Sequence, residues 1–237
     1  MIEKKLHAIV LKAIPFKDRQ SILTILSEEE GIASIIVKGL SKKKPQLMAC
    51  INPLSQVEFL YLQTRSNILL CTEASMIDAH LFLRDKYSFL QMSIGLIQMV
   101  LETQYPGKSS PALYHLLSRY LKQIPFFTSL LPTLEASFLL KLMKHEGVLL
   151  LEPFCCICKR QEELYLFDTD LFCYSHKKDP STHFSPIEWR VMQALSSVRS
   201  FDLLKELTIS ECLLEKIKIY FRSQMPHQST RKAKISE

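Results

Sequence analysis

Three cysteines and one histidine form two pairs with the spacing of metal ligands. Cys155 and Cys158 make a C-x2-C pair, and after fourteen further residues Cys173 and His176 make a C-x2-H pair. Two residues between ligands let both side chains of a pair reach one ion, and thiolate and imidazole both bind tetrahedral Zn2+. Because four protein ligands leave no coordination position for water, the pattern predicts one structural Zn2+ ion rather than a catalytic one.

The ligand set has alternatives at this stage. Cys156 could replace Cys155 only through a tight C-x-C bite with Cys158. His183 could replace His176 at a looser spacing. The thiols could also be buried without a metal, since free cysteine is common in protein cores. A disulfide is disfavoured, because nothing else in the sequence indicates export.

The composition predicts a globular protein without a phosphate-binding loop. The chain has 237 residues, of which 47% are hydrophobic and 23% charged, so it can bury a sizeable core. It contains no G-x-x-x-x-G-K-[ST], G-x-G-x-x-G or G-x-S-x-G motif. It also has no obvious cluster of Asp and Glu for a two-metal site. We therefore expect a protein that is not an enzyme; a nuclease and a pure protein-interaction scaffold are the alternatives.

The sequence also predicts a soluble protein of the cytoplasm, associated with the nucleoid and not with a membrane. No apolar region and cleavage site of a signal peptide follow the first residues. The longest uncharged run, residues 87–101, is shorter than the roughly 20 apolar residues of a membrane span. Seven cysteines, an odd number with four of them clustered, fit a reducing compartment.

Five segments with strand character precede residue 80. They are rich in Ile, Leu and Val, and turn residues separate them: 7–14, 21–26, 32–37, 56–62 and 68–74. The smallest common fold for this pattern is a five-stranded, partly open Greek-key barrel of the OB type. The strand layer of a single α+β domain is the alternative. Between the third and fourth strands the pattern predicts a long polar link, residues 39–53.

Helical periodicity replaces the strand pattern after residue 82. Helices are predicted over residues 83–103, 111–123 and 132–146. Ser185 with Glu188, and Thr208 with Glu211, have the spacing of capping boxes that begin two more helices. The last helix carries an apolar stripe that predicts a core-facing side: Leu213, Leu214, Ile217, Tyr220 and Phe221. The predicted architecture is α+β and multidomain: an OB-type nucleic-acid-binding barrel over residues 1–80, then a mostly helical domain over 81–237 with the zinc segment 155–176.

The charge distribution favours an anionic partner. The net charge is +6, and basic residues concentrate in the polar link and in residues 216–237. Such side chains neutralise phosphates through counterion release; the alternative is a solvated loop and a frayed tail. OB barrels bind single strands by combining a basic groove with stacking aromatic rings, and Phe16, Phe59 and Tyr61 are available here. The predicted nucleic-acid-binding residues are Lys38, Lys42, Lys43, Lys44 and Arg19.

Taken together, these features resemble the bacterial RecO family of recombination mediators over nearly the whole chain. The matching segments occur in the family's order: Ala8-Ile9-Val10-Leu11-Lys12, Val37-Lys38-Gly39, the lysines at 42–44, Thr72-Glu73-Ala74 and Glu152-Pro153-x-Cys155-x2-Cys158. Two departures stand out. Where the family usually has a fourth cysteine, this chain has His176, and its C-terminal tail matches poorly.

The resemblance implies a fold and a set of partners. The fold is an N-terminal OB barrel followed by a helical domain with structural zinc. The implied activity is binding of single- and double-stranded DNA and annealing of complementary strands. The implied protein partners are RecR and the single-strand DNA-binding protein, and through them RecA, which is loaded onto the coated strand.

Overall fold

The chain forms two compact units, Met1–Pro125 and Phe126–Glu237. The computed structural model describes residues 3–64, 68–150, 152–161 and 163–225. Within these ranges no helix has both the length and the apolar character needed to cross a bilayer. The predicted division into functional domains at residue 80 stays a prediction.

The first unit contains a closed five-stranded barrel. Its strands cover the predicted segments: β1 (Glu3–Pro15), β2 (Gln20–Ser27), β3 (Gly31–Lys38), β4 (Gln56–Leu62) and β5 (Ile68–Asp78). They close in the order β1-β2-β3-β5-β4, and β4 pairs with β1. All pairs are antiparallel except β3 with β5. The OB-type barrel predicted from the sequence is confirmed.

Alternation along the strands fills the barrel with apolar side chains. Residues two apart point to the same face of a strand, so each strand contributes every second residue to one core. The strand residues of this core are Leu6, Ala8, Val10, Leu23, Ile25, Ile35, Val37, Val57, Phe59, Tyr61 and Leu69. The link between β3 and β4 also contains a helix, α1 (Pro45–Cys50), which begins at a proline and places Cys50 in the same core. The sequence analysis missed α1 because six residues are too short to show a helical period.

The turn between β2 and β3 is held by specific contacts rather than by solvation alone. Glu29 accepts hydrogen bonds from the backbone N–H of His7 at 3.0 and 3.2 Å. Glu30 accepts one from the Tyr61 hydroxyl at 2.8 Å, and Glu28 lies 3.1 Å from the His115 ring. The three carboxylates therefore tie this turn to its neighbours within the first unit.

Gly31, at the start of β3, allows a close approach of the segment that follows the second helix of this unit. Its φ is +67°, and a Cβ built there would lie 1.9 Å from the carbonyl oxygen of Lys108. The Gly107 N–H donates to the Ile32 carbonyl in the same place, at 3.2 Å. Both the positive φ and the backbone contact exclude a side chain at position 31.

We expect Gly31→Ala to destabilise the protein by at least about 2 kcal/mol, because it adds a backbone clash to left-handed strain. Gly107→Ala is the matched control, since Gly107 has a φ of +82° and nothing within 4 Å of its Cβ position. Chemical denaturation of both variants measures the difference. Equal loss of stability in the two variants would show that the Lys108 carbonyl does not constrain position 31.

Two helices complete the first unit. The predicted helix 83–103 is divided: a 3-10 turn (Leu81–Arg84) precedes α2 (Tyr87–Thr103). The next helix, α3 (Pro111–Gln123), matches its predicted range. The Tyr114 hydroxyl of α3 accepts a hydrogen bond from the Gln56 amide of β4 at 2.7 Å, which ties the helix to the barrel.

The second unit is mostly helical. Its helices are α4 (Leu131–His145), α5 (Pro186–Ser197), α6 (Phe201–Lys205) and α7 (Glu211–Gln224). The predicted stripe of α7 is confirmed, since all five of its residues are buried. The capping box at Ser185 and Glu188 is also confirmed. The one predicted at Thr208 is wrong: Ser210 is the N-cap and accepts from the Leu213 N–H at 3.1 Å.

Two strands of a three-stranded antiparallel sheet lie within the predicted zinc segment, and the third follows it. Its strands are β6 (Leu164–Phe167), β7 (Asp170–Cys173) and β8 (Thr182–Phe184), in the order β7-β6-β8. Strands of three or four residues show too little alternation to be predicted from sequence. The sheet matters for the site, because Cys173 is the last residue of β7.

Candidate metal centre and nucleic-acid interface

A tight turn holds the first pair of predicted metal ligands. The Cys155 N–H donates to the Arg160 carbonyl at 2.8 Å, and the Lys159 N–H donates to the Cys155 carbonyl at 2.9 Å. The Cys156 N–H donates to Leu171 of β7 at 2.8 Å. Backbone contacts therefore bring the C-x2-C turn to the strand that ends at Cys173.

The four predicted ligands lie together. Their ligand atoms are all within 4.8 Å of one another, in a Cys3His group. The sulfurs of Cys158 and Cys173 are 3.6 Å apart. The Nδ1 atom of His176, in the 3-10 turn after β7, is 3.3 Å from the Cys173 sulfur and 3.7 Å from that of Cys155.

These distances fit a tetrahedral zinc ion. Zn–S bonds of about 2.3 Å and Zn–N bonds of about 2.0–2.1 Å place two sulfurs roughly 3.8 Å apart, and sulfur and nitrogen roughly 3.6 Å apart. Three thiols and one imidazole are also a common donor set of structural zinc. The group could therefore bind a metal such as zinc, which its four ligands would enclose completely.

The surroundings favour the thiolate form of Cys155 and disfavour that of Cys158. Burial opposes ionisation of the Cys155 thiol, but backbone N–H groups at Cys158, Cys173 and Ile157 outweigh it and lower its pKa to about 6. The Arg160 N–H favours the Cys158 thiolate, but desolvation and the neighbouring thiols raise the pKa of Cys158. Several thiolates so close together repel each other and need a bound cation to stay deprotonated, and a metal ion supplies that charge.

Neither alternative ligand belongs to this group. Cys156 is exposed, and partial desolvation together with the nearby Asp170 raises the pKa of its thiol. His183 lies on β8, where its ring packs on Tyr165 at 4.9 Å between centroids and its Nε2 is 3.5 Å from Glu163. Among the residues with described positions, the remaining group that could hold a metal is His7, Glu28 and Glu29, whose carboxylates brace the β2–β3 turn.

The predicted nucleic-acid-binding residues lie on one part of the first unit. Lys38 ends β3 and pairs with Gln20 of β2, directly after the turn that contains Arg19. The Leu40 N–H donates to the Arg19 carbonyl at 3.0 Å. The β1–β2 turn and the start of the β3–β4 link are therefore adjacent, and Lys38 and Arg19 are exposed.

The other three lysines continue this surface. Lys42, Lys43 and Lys44 are exposed and lead into α1. The Lys44 amino group approaches Gly39, since a Cβ built on that glycine would lie 3.7 Å from it. We refer to Arg19, Lys38 and residues 42–44 as the basic surface.

One of the three candidate aromatic rings is accessible. Phe59 and Tyr61 are 0% and 1% exposed in the barrel core, so they cannot stack on bases. Phe16 is 38% exposed in the β1–β2 turn. The Lys17 ammonium lies 5.4 Å from the centre of its ring. Lys17 was not among the predicted nucleic-acid-binding residues, although its position between Phe16 and Arg19 in the sequence indicated it.

The basic tail divides into two parts. Lys216 pairs with Glu188 at 2.7 Å and Lys218 with Glu135 at 3.1 Å, so both serve the packing of the second unit. Arg222 is exposed in the last turn of α7. The remaining tail residues of this prediction, Arg231, Lys232 and Lys234, lie outside the described residues.

Two family models, for the two parts of one protein family, match most of the chain. A family model described as Recombination protein O N terminal matches residues 1–80. A second, described as Recombination protein O C terminal, matches residues 85–221.

Individual relatives carry the same name. The chain is 27% identical to the DNA repair protein RecO of Chlamydia trachomatis serovar L2, over 84% of this chain and 82% of the relative. It is 26% identical to that of Chlamydia pneumoniae, over 91% and 86%. It is 23% identical to that of Clostridium kluyveri, over 91% and 85%.

Proposed function

This chain belongs to the RecO family of DNA repair and recombination proteins, and from that premise we propose that it binds single- and double-stranded DNA and anneals complementary strands. Family members are recombination mediators and not enzymes, so no residue is assigned a catalytic role. We further propose that it acts with RecR on strands coated by the single-strand DNA-binding protein, and so helps to load RecA. The site of action is the cytoplasmic nucleoid.

The observation that carries the DNA-binding proposal is the basic surface beside an exposed ring. Five cationic side chains project around two adjacent loops of an OB barrel, and Phe16 lies in one of these loops. Lys17 and Arg19 also hold left-handed backbone conformations, with φ of 49° and 53°. Strain of this kind in an exposed turn supports a binding role for the turn.

The same surface explains how annealing works without chemistry. Two DNA strands repel each other through their phosphates, and lysines that neutralise phosphates release counterions and lower this repulsion. Flexible lysine side chains read no sequence, so the surface accepts either of two complementary strands. Stacking of a base on Phe16 holds a single strand open for pairing.

The zinc ion has a separate role in this proposal. Cys155, Cys158, Cys173 and His176 hold it, and when bound it supplies a structural crosslink between the C-x2-C turn and the end of β7. The chain's own residues perform the DNA contacts.

Strand annealing tests the proposed function. Two complementary oligonucleotides with a donor and an acceptor dye are mixed with the protein, and energy transfer reports pairing. We expect annealing to accelerate at least about tenfold and to decline with added salt. The same reaction is repeated with strands coated by the single-strand DNA-binding protein, with and without RecR.

The matched control is the protein with Lys42, Lys43 and Lys44 of the basic surface changed to Glu. Magnesium and manganese are added in parallel, and product lengths are examined. Reproducible cleavage by the pure protein would favour the nuclease alternative. Unchanged annealing rates in the presence of protein would contradict the proposed function.

A further inference from the structure

Aromatic rings form a row across one face of the sheet in the second unit. Tyr165 of β6 lies directly opposite Phe172 of β7 and His183 of β8. Residues opposite each other on antiparallel strands project from the same face. The rings of Tyr165 and His183 are 4.9 Å apart, and the Tyr174 ring, just after β7, is 6.3 Å from Tyr165.

This face differs from the opposite one in what covers it. On the opposite face, Leu164, Leu166 and Phe184 are buried within the unit. On the aromatic face, Phe172 is buried, but Tyr165 and His183 are half-buried, and Tyr174, just after β7, is 68% exposed.

Two consecutive lysines lie over these rings. The Lys177 ammonium is 5.2 Å from the ring centre of Tyr165 and 4.8 Å from that of Tyr174. The Lys178 ammonium is 5.5 Å from Phe167 and 4.9 Å from Phe172. Both lysines are exposed, so each can leave its ring and follow a ligand.

Rings with mobile cations beside them match the two parts of a nucleotide. A base stacks on the face of a ring, and the adjacent phosphate pairs with the ammonium. The cation–π contact that a lysine gives up is weaker than the stacking gained by a base. We propose that this aromatic face is a second binding surface for single-stranded nucleic acid, with Tyr174 as its most accessible stacking ring.

The charges around the face indicate how the binding energy arises. Residues 155–185 contain five acidic and four basic residues. The acidic ones with described positions are Glu163, Asp168, Asp170 and Asp179, and Glu163 pairs with His183. The two ammonium groups of Lys177 and Lys178 can pair with phosphates, while stacking supplies the larger share of the affinity, so binding depends less steeply on salt than at a surface with five cations. This distinguishes it from the basic surface, whose binding depends on phosphate neutralisation.

The inference shares its ligand with the proposed function but rests on different residues, so the test uses both surfaces. Binding of a fluorescent oligothymidylate is measured by anisotropy over a salt series, for the unaltered protein and for a variant with Lys42, Lys43 and Lys44 changed to Glu. In each background we expect Tyr174→Ala to weaken binding about tenfold and Tyr174→Phe to preserve it. Tyr87→Ala is the control, because Tyr87 is 80% exposed and lies on α2.

Crosslinking of the unaltered protein tests the same inference without any substitution, so the result does not depend on whether a variant folds. An oligonucleotide that contains 5-iodouracil is irradiated with the protein, and the modified peptide is sequenced. We expect an adduct at Tyr174 that persists at high salt. Equal affinity of Tyr174→Ala and Tyr87→Ala, or adducts confined to the barrel, would overturn this inference while leaving the basic surface intact. An adduct at Tyr174 together with an ineffective lysine reversal would support it and contradict the barrel mechanism.

Discussion

Replacing Cys173 by serine is expected to abolish metal binding and to unfold the region around residues 155–184. A serine hydroxyl is a poor zinc ligand, because only the thiolate combines softness with negative charge. Metal binding to a structural site contributes roughly 10 kcal/mol or more of folding free energy. Cys173 is 3% exposed and pairs with Leu164 in the sheet. Loss of the ion therefore releases both the ligands and the end of β7.

Three measurements on one preparation check this expectation. We expect the metal content to fall from one zinc per chain to none. Thermal melting should show that the free energy of unfolding falls by several kcal/mol. Hydrogen exchange is expected to accelerate in residues 155–184. A chelator is expected to produce the same changes in the unaltered protein and none in the variant. Zinc retained by Cys173→Ser would show that another residue occupies its place.

Cys156→Ser is the matched control for the ligand set. Cys156 lies in the same turn, is exposed, and is outside the Cys3His group. We expect this variant to keep its zinc and its melting temperature. If it loses the metal while Cys155→Ser retains it, the first ligand is Cys156.

The contrast between these cysteines shows what local spacing predicts. Two residues between ligands are a local property, so the pairs were visible in the sequence. The sequence also favoured Cys155 over Cys156, because Cys156 would need a tight C-x-C bite with Cys158, and Cys155 is the one that lies in the Cys3His group. The hydrogen bond from the Cys156 N–H to the Leu171 carbonyl of β7 holds this turn against a strand that is too short to be recognised in the sequence.

The barrel was predictable for a related reason. Five strands of seven or more residues each show alternation long enough to be recognised. The accessible aromatic ring was not predictable, because Phe16, Phe59 and Tyr61 are chemically similar. Strand register places two of them inside the barrel, and the turn leaves Phe16 exposed.

Helix ends show the limit of cap rules. Thr208 with Glu211 has the capping-box spacing, but the helix begins two residues later and uses Ser210. Both Thr208 and Ser210 are good N-caps. A local motif does not separate two good candidates that lie only two residues apart.

Charge reversal of Lys42, Lys43 and Lys44 to Glu is expected to have the largest effect on DNA binding. Each lysine that neutralises a phosphate contributes about 0.7 to the slope of log affinity against log salt for a single strand. Losing three such contacts flattens the slope by about 2, and three carboxylates add repulsion. We expect affinity for single-stranded DNA to fall by roughly a thousandfold at low salt.

The matched control makes the same change in net charge at three other lysines. Lys86, Lys108 and Lys122 are exposed in the first unit, outside the basic surface. Changing all three to Glu takes the net charge from +6 to 0, as the test variant does. Because overall attraction of DNA falls equally in both variants, the difference between them measures local phosphate contacts. Anisotropy titrations between 50 and 300 mM salt, on the order of the range in which counterion release dominates, give both affinities and slopes. Identical losses in the two variants would mean that net charge attracts DNA and that residues 42–44 do not contact it.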